Sequence, residues 1–130
     1  MYGIHITVDC GMDEAEQKTR EALKAEGFGV LTEIDVKKTL KEKIDVDRKP
    51  YKILGACNPK LANDALNAEP DLGLLLPCNV IIREEEDGST TVAIVDPESM
   101  FTVVGKPEME ALAKDVRVRF ERIMDAIKNA

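Results

Sequence analysis

The stretch LLLPCNVIIREEEDGSTTVAIV, residues 74–95, decides the fold of this chain. Its two halves are rich in β-branched residues and flank the dipeptide Asp87-Gly88, a strong signal for a β-hairpin turn. We therefore predict a long strand over residues 74–83 and a second strand over residues 90–95, paired antiparallel. Pro77 cannot donate an amide hydrogen to a neighbouring strand, so it marks an edge or a bulge in the first strand.

The chain before this hairpin alternates between strand and helix signals. Apolar and polar residues alternate over residues 2–9, which is the period of a half-buried strand. Asn58 is a good helix N-cap, and Pro59 suits the first helical position. On the same reasoning, further strands are predicted over residues 28–34 and 51–56, and helices over residues 13–26, 36–44 and 59–68.

The C-terminal region contains the clearest helix, because apolar residues keep a three-four spacing from residue 107 to residue 128. Asp96-Pro97 ends the strand before it, and residues 100–104 are predicted as a short further strand. With the two short helices set aside as insertions, the order is strand, helix, four strands, helix. We expect one α+β domain over residues 1–130, with a mostly antiparallel sheet and its helices on one face.

Composition and charge exclude several classes of protein. The 130 residues are 44% hydrophobic and 33% charged, which is typical of a globular chain and not of a disordered one. The net charge of −7 opposes non-specific binding to nucleic acid or acidic lipid. Apolar runs are too short to span a bilayer, and residues 1–12 lack a signal-peptide pattern. We expect a cytoplasmic protein with no nucleic-acid or membrane partner.

Cys57 is the strongest candidate for a functional residue. It ends a predicted strand directly before a helix capped by Asn58, where free backbone N–H groups and the helix dipole favour a thiolate or a bound anion. Gly55 lets a ligand approach the backbone, and Cys78-Asn79 repeats the Cys-Asn pair after a proline. The sequence thus predicts a ligand site at Gly55, Cys57, Asn58, Cys78 and Asn79.

Other interpretations of the three cysteines stay open. A free cysteine at the end of a strand is often a buried packing residue. Cys78 shares a strand face with Val80 and Ile82, which favours a place in the core, and it approaches Cys57 only if their strands are neighbours. Cys10 is interpreted as an isolated thiol at the solvent edge.

Few other residues suggest chemistry. His5, the only histidine, is interpreted as structural, and three cysteines without close spacing favour neither a disulfide framework nor a metal centre. We expect no metal and no cofactor. The acidic run 84–87 is interpreted as a solvated turn. Residues 37–52 hold seven basic and three acidic residues, a local charge of +4, and either lie in solvent or receive an anionic ligand or the acidic face of another subunit.

Four segments resemble a known family. They are EALKAEGFGVLTEIDV (residues 21–36), YKILGACNPK (51–60), EPDLGLLLPCNV (69–80) and the Val95-Asp96-Pro97 turn. The chain is similar over nearly its whole length to the bacterial and archaeal proteins grouped as domain of unknown function 302. This resemblance implies a fold like that of the TATA-box-binding protein, a curved antiparallel sheet with a long C-terminal helix, and a dimer. The family has no agreed activity, so the resemblance implies no site residues.

Two functions remain as hypotheses. The first is a homodimeric, non-enzymatic binding module with a small-molecule or anion site beside Cys57 and Asn58. The second is an enzyme or carrier that uses Cys57 as a redox or sulfur-handling nucleophile, with Cys78 as the resolving thiol. The lack of a second histidine and of an evident general base argues against the enzyme, although an activated thiol alone can suffice.

Overall fold

A computed structural model describes residues 2–130 of the protein. The strands in this part of the chain are β1 (Gly3–Val8), β2 (Gly29–Asp35), β3 (Tyr51–Cys57), β4 (Cys78–Glu84) and β5 (Thr90–Val95). The α-helices are α1 (Met12–Ala25), α2 (Val36–Ile44), α3 (Pro59–Ala68), α4 (Pro97–Val104) and α5 (Glu110–Asn129). Short 3-10 helices lie at Pro70–Leu75 and Pro107–Met109.

The five strands form one antiparallel sheet in the order β1-β5-β4-β3-β2. This confirms the predicted α+β class and the antiparallel pairing. The predicted sequence of elements, strand, helix, four strands, helix, is also present, with α2, α3 and α4 as insertions. β1 and β2 are the edge strands, and β4 lies at the centre, so the hairpin that decides the fold also supplies the middle of the sheet.

One face of the sheet packs against α1 and α5. Alternate strand residues point to this face and are buried there: Val8, Leu54, Ala56, Val80, Ile82, Val92 and Ile94. The rings of Phe28 and Phe120 of α5 meet with their centroids 5.3 Å apart. Each large apolar side chain buried in this way stabilises the fold by about 1.5–3 kcal/mol. The four α1 residues that share a stripe in the sequence are all buried: Ala15, Thr19, Ala22 and Leu23.

The opposite face of the sheet, here called the open face, carries an apolar row across β2, β3, β4 and β5 that ends at the exposed His5 on β1. Ile34, Ile53, Ile81, Ala93 and His5 are successive cross-strand partners in this row. Ile34 is 48% exposed, and Ile53 and Ile81 are half-buried. In a single chain this row therefore stays partly in contact with water.

The predicted hairpin turn at Asp87-Gly88 is confirmed. Gly88 has a φ of 87°, in the left-handed region that favours glycine. Its amide donates to the Glu85 carbonyl at 3.0 Å, and the Asp87 carboxylate accepts from the Ser89 amide at 2.9 Å. The acidic run 84–87 lies at this turn, as expected.

The predicted strand over residues 74–83 begins too early. Residues 74 and 75 belong to the 3-10 helix Pro70–Leu75, and β4 begins only at Cys78. Cys78 pairs with Ala56, and β3 ends one residue later at Cys57, so β3 offers no partner for an extended segment before Pro77. The leucine run matched a strand pattern, but the length of the neighbouring strand limits β4.

The predicted strand over residues 100–104 is wrong, because this segment lies in α4. The Asp96 carboxylate accepts from the Glu98 amide at 2.9 Å, Pro97 takes the first helical position, and Gly105 ends the helix at a φ of 72°. The same cap-and-proline signal correctly predicted α3 at Asn58-Pro59. Its presence at Asp96-Pro97 was sufficient to predict α4.

We expect Gly88→Val to lower the free energy of unfolding by about 1 kcal/mol or more, because a β-branched residue is strained at this positive φ. Thermal unfolding measures the loss. Gly88→Asn is the matched control and should cost much less, because asparagine tolerates the left-handed conformation. Equal stability of the valine variant and the wild type would contradict the turn geometry.

Candidate functional site

The predicted site lies at the end of the sheet where β3 stops and α3 begins. Cys57 is the last residue of β3, and Asn58 caps α3 by accepting the Leu61 amide hydrogen at 3.2 Å. A proline at the first helical position fixes the direction in which α3 leaves the sheet. The chain therefore turns sharply at Cys57 and places α3 beside the strand ends.

A cavity of about 320 Å³, here called the end pocket, lies between α3 and the end of the sheet. The residues around it come from the strand ends and their flanks (Phe28, Leu31, Thr32, Ala56, Cys57, Asn58, Pro77, Cys78), from α3 (Leu61, Ala62, Ala65, Leu66), from the 3-10 segment and Leu76 (Leu72, Gly73, Leu76), and from α4 and α5 (Pro97, Met100, Phe101, Leu112, Val116).

The lining of the end pocket is almost entirely apolar. Among the described residues that surround it, none is charged, and the polar groups are those of Thr32, Asn58 and the two cysteines. Leu66 of α3 also lines the pocket and is 38% exposed. Such a lining suits an uncharged, apolar ligand.

Cys57 and Cys78 both line this pocket. β3 and β4 are neighbours, and Cys78 is the cross-strand partner of Ala56, so the side chain of Cys57, the next residue of β3, leaves the sheet on the opposite face. Cys57 is half-buried, whereas Cys78 is only 8% exposed, as its strand face predicted. Burial, aided by the nearby charge of Cys57, raises the pKa of Cys78 to about 11. Cys78 is thus a neutral thiol near pH 7.

Asn58 and the first turn of α3 offer little to an anion. The side-chain oxygen of Asn58 accepts a hydrogen bond from the Leu61 amide, and the backbone carbonyl of Asn58 accepts one from the Ala62 amide. Pro59 has no amide hydrogen. Within the described chain, Lys60 is therefore the one residue of this turn whose amide hydrogen stays free for a ligand. The site thus offers fewer backbone donors to an anion than the sequence predicted.

Two residues of the predicted site lie elsewhere. Asn79 is exposed on the open face, where it lines a depression of about 350 Å³ together with His5 and Arg83. Gly55 is buried and does not line the end pocket. A Cβ atom on Gly55 would overlap Thr32 Oγ1 and come within 2.7 Å of Pro77 Cγ, so glycine is needed there for packing.

Several pocket residues were missed from the sequence. Met100, Phe101, Leu112 and Val116 come from segments 40 to 60 residues further along the chain. The apolar spacing of the C-terminal helix correctly placed Leu112 and Val116 on its buried stripe. It gave no indication that this stripe continues past the sheet and faces α3.

Cys10 and the basic segment are remote from the end pocket. The Cys10 carbonyl accepts from Thr90 Oγ1 at 2.7 Å, at the hairpin end of β5, so this thiol lies at the opposite end of the sheet. In the basic segment, Lys41 pairs with Asp45 at 2.7 Å and Lys49 with Glu84 at 3.8 Å. These cations do not line the pocket.

Residues 2–130 bring no three side chains of histidine, cysteine, aspartate or glutamate together as a metal site would require. No helix in the same range is long and apolar enough to cross a membrane.

Comparison with known proteins identifies relatives of unknown activity. The family model described as "Domain of unknown function DUF302" matches residues 4–127. A crystal structure of an uncharacterized conserved DUF302 protein from Bacillus stearothermophilus is similar with a TM-score of 0.91 and 31% sequence identity, over 98% of each chain. No curated protein is significantly similar to this chain.

We expect Cys78 to alkylate far more slowly than Cys57 when the native protein is treated with iodoacetamide at pH 7.5. A buried thiol with a pKa of about 11 reacts on the order of a hundredfold more slowly than an ordinary thiol. Mass spectrometry of the labelled peptides measures both rates, and Cys57→Ser identifies the faster signal. In urea, the alkylation rates of Cys57 and Cys78 should become equal. Native labelling of Cys78 as fast as Cys57 would contradict the buried position.

Proposed function

The chain belongs to the DUF302 family of domains of unknown function, and from that premise we propose that it is a non-enzymatic module that binds a small apolar molecule. The end pocket beside Cys57 is the proposed site. Small-molecule sites are concave and mostly apolar, with a few polar groups that orient the ligand.

The observation that carries this proposal is the almost wholly apolar lining of the end pocket. Its volume of about 320 Å³ falls at the lower end of the range of roughly 300–1,000 Å³ for ligand sites. A dry cavity of about 150 Å³ accommodates benzene, so this pocket has room for two fused rings or a short acyl chain. The uncharged lining favours a neutral molecule over an anion, since a buried charge needs a partner.

The lining also favours binding over catalysis. General acid-base chemistry needs a titratable group within hydrogen-bond reach of the reacting atom. Among the described lining residues, the titratable groups are Cys57 and Cys78, and the second is held as a neutral thiol. A nucleophilic role for Cys57 remains the alternative, with no neighbouring base to activate it.

The proposal includes a homodimer that buries the open face. The sheet has five strands about 4.8 Å apart, each about six residues long at about 3.4 Å per residue. Its face therefore has a flat area of roughly 500 Å², not counting the extra surface of protruding side chains. Each partner in a standard interface buries about 800 Å², so this face together with the adjacent Tyr2 and Leu75 supplies most of the area that a dimer needs. A second copy would present the same apolar row and cover it symmetrically.

The finer fold assignment and the location belong to the same proposal. The antiparallel sheet with a long C-terminal helix supports a fold like that of the TATA-box-binding protein. A cytoplasmic location agrees with three cysteines that are all free thiols.

Binding of the neutral fluorescent probe 1-aminonaphthalene, which has two fused rings, tests the site. We expect the probe to bind the wild type in the micromolar range, and Ala62→Phe to weaken binding by at least about tenfold because the new ring fills the pocket from α3. Ala68→Phe, the same change on the same helix outside the pocket, is the control and should bind normally. Equal binding by the two folded variants would overturn the proposed site.

Light scattering tests the dimer. We expect a mass near twice 14.4 kDa at micromolar concentration, and Ile81→Glu should shift it to that of a monomer because a carboxylate would enter the apolar row. Val118→Glu, at an exposed position of α5, is the control and should remain dimeric. A wild type that stays monomeric across this range excludes the open-face dimer.

A further inference from the structure

We propose that the connection between β2 and β3, residues 36–50, packs against a second copy of this chain and completes the homodimer interface. This connection, here called the arm, consists of α2 and the loop that follows it. The inference rests on the proposed function, because it assigns a further contact to the dimer proposed there. It accounts for a part of the chain that the end pocket does not use.

The arm has few packing contacts within a single chain. None of its residues is buried, and only Val36, Leu40 and Pro50 are half-buried. Ile44 is 63% exposed and Val46 is 42% exposed. An isolated helix shorter than about 12–15 residues is marginal in water, because most helical stability in proteins comes from the packing of an apolar face. α2 has nine residues, so a further apolar surface against it would stabilise it.

The arm begins and ends beside the open face. Ile34, the open-face residue of β2, lies two residues before the start of α2. At the other end of the arm, the Arg48 guanidinium lies over the ring of Tyr51, 5.5 Å from its centroid, and Tyr51 lines the depression on the open face. A second copy that covers the open face therefore comes next to the arm.

The area that a dimer needs supports this contact. The flat sheet face of roughly 500 Å² falls short of the area of about 800 Å² that each partner buries in a standard interface. α2 is about 13.5 Å long and about 10 Å wide, so one side of this helix has an area of roughly 135 Å². The arm thus supplies much of the area that the sheet face and its neighbours lack.

Charge favours a second copy as the partner of the arm. The basic segment, which overlaps the arm, has a local charge of +4 in a chain of net charge −7. Lys38 and Lys43 are exposed, and neither has an acidic partner in the part of the chain that the structure describes. The rest of the chain is strongly acidic, so an arm placed against a second copy brings opposite charges together. This contact offsets the repulsion between two acidic copies.

Sedimentation equilibrium of the whole chain tests the arm. The double variant Ile44→Ser/Val46→Ser should raise the dissociation constant of the dimer at least about tenfold, because each dimer loses the apolar contacts of two arms. Serine and isoleucine have similar helix propensities, so α2 is kept. Val103→Ser changes a valine that is 78% exposed and lies outside the arm and the open face. This control should dimerise as the wild type does.

Amide hydrogen exchange gives a second measurement that does not depend on an arm variant. Ile81→Glu, the monomeric variant of the open face, leaves the sequence of the arm unchanged. Its α2 amides should exchange at least about tenfold faster than those of the wild-type dimer, because the helix has lost its packing surface. The amides of α5, which packs within one chain, should exchange at the same rate in both proteins and show that the monomer is folded.

The outcomes separate the arm contact from the open-face dimer. If the wild type is a dimer and the arm variant leaves its dissociation constant unchanged, or if α2 is equally protected in dimer and monomer, the arm contact is overturned and the open-face dimer stands. If the arm variant weakens a dimer that Ile81→Glu does not affect, the arm contact stands and the open face is excluded. A wild type that stays monomeric at all concentrations overturns both.

Discussion

The packing of α5 against one face of the antiparallel sheet is the interaction on which the rest of the structure depends. Phe120, Ile123 and Ile127 are buried on this helix, and Phe120 meets Phe28 at the start of β2. Because α5 has 20 residues and the strands have six or seven, the helix is longer than the sheet it covers. Its first turns therefore continue beyond the strand ends, where Leu112 and Val116 form a wall of the end pocket.

The capped helices α3 and α4 enclose the space beside the part of α5 that extends beyond the strands, and this space is the end pocket. Each begins with a side-chain cap followed by proline, Asn58-Pro59 in one case and Asp96-Pro97 in the other, directly after a strand. Both helices leave the sheet at the same end, since β3 and β5 run in the same direction on either side of β4. The pocket thus results from two cap-and-proline sequences at strand ends, which the sheet topology places at the same end of the molecule.

The same geometry explains why the chemistry of the site is apolar although the chain is rich in charge. Most charged residues lie on exposed helix faces, at the hairpin turn and in the basic segment, and the half-buried Glu16 is paired with Lys52 at 2.7 Å. The pocket is built from apolar helix residues, from strand ends and from the 3-10 segment before β4. Cys57 and Cys78, the second held neutral by burial, are the titratable groups among the described lining residues.

The sequence by itself determined those features that depend on neighbours in the chain. Period-two alternation predicted the strands, Asp87-Gly88 the hairpin, Asn58-Pro59 the start of α3, and the three-four spacing the C-terminal helix, because each signal acts over a few residues. Tertiary structure decided the rest. The start of β4 at Cys78 depends on where β3 stops, and Leu74 to Leu76 have no strand beside them. The separation of Asn79 from Cys78, and the meeting of Cys57 with Met100 and Val116, depend on contacts between segments far apart in sequence. Such contacts follow from how the whole core packs, and no local pattern encodes them.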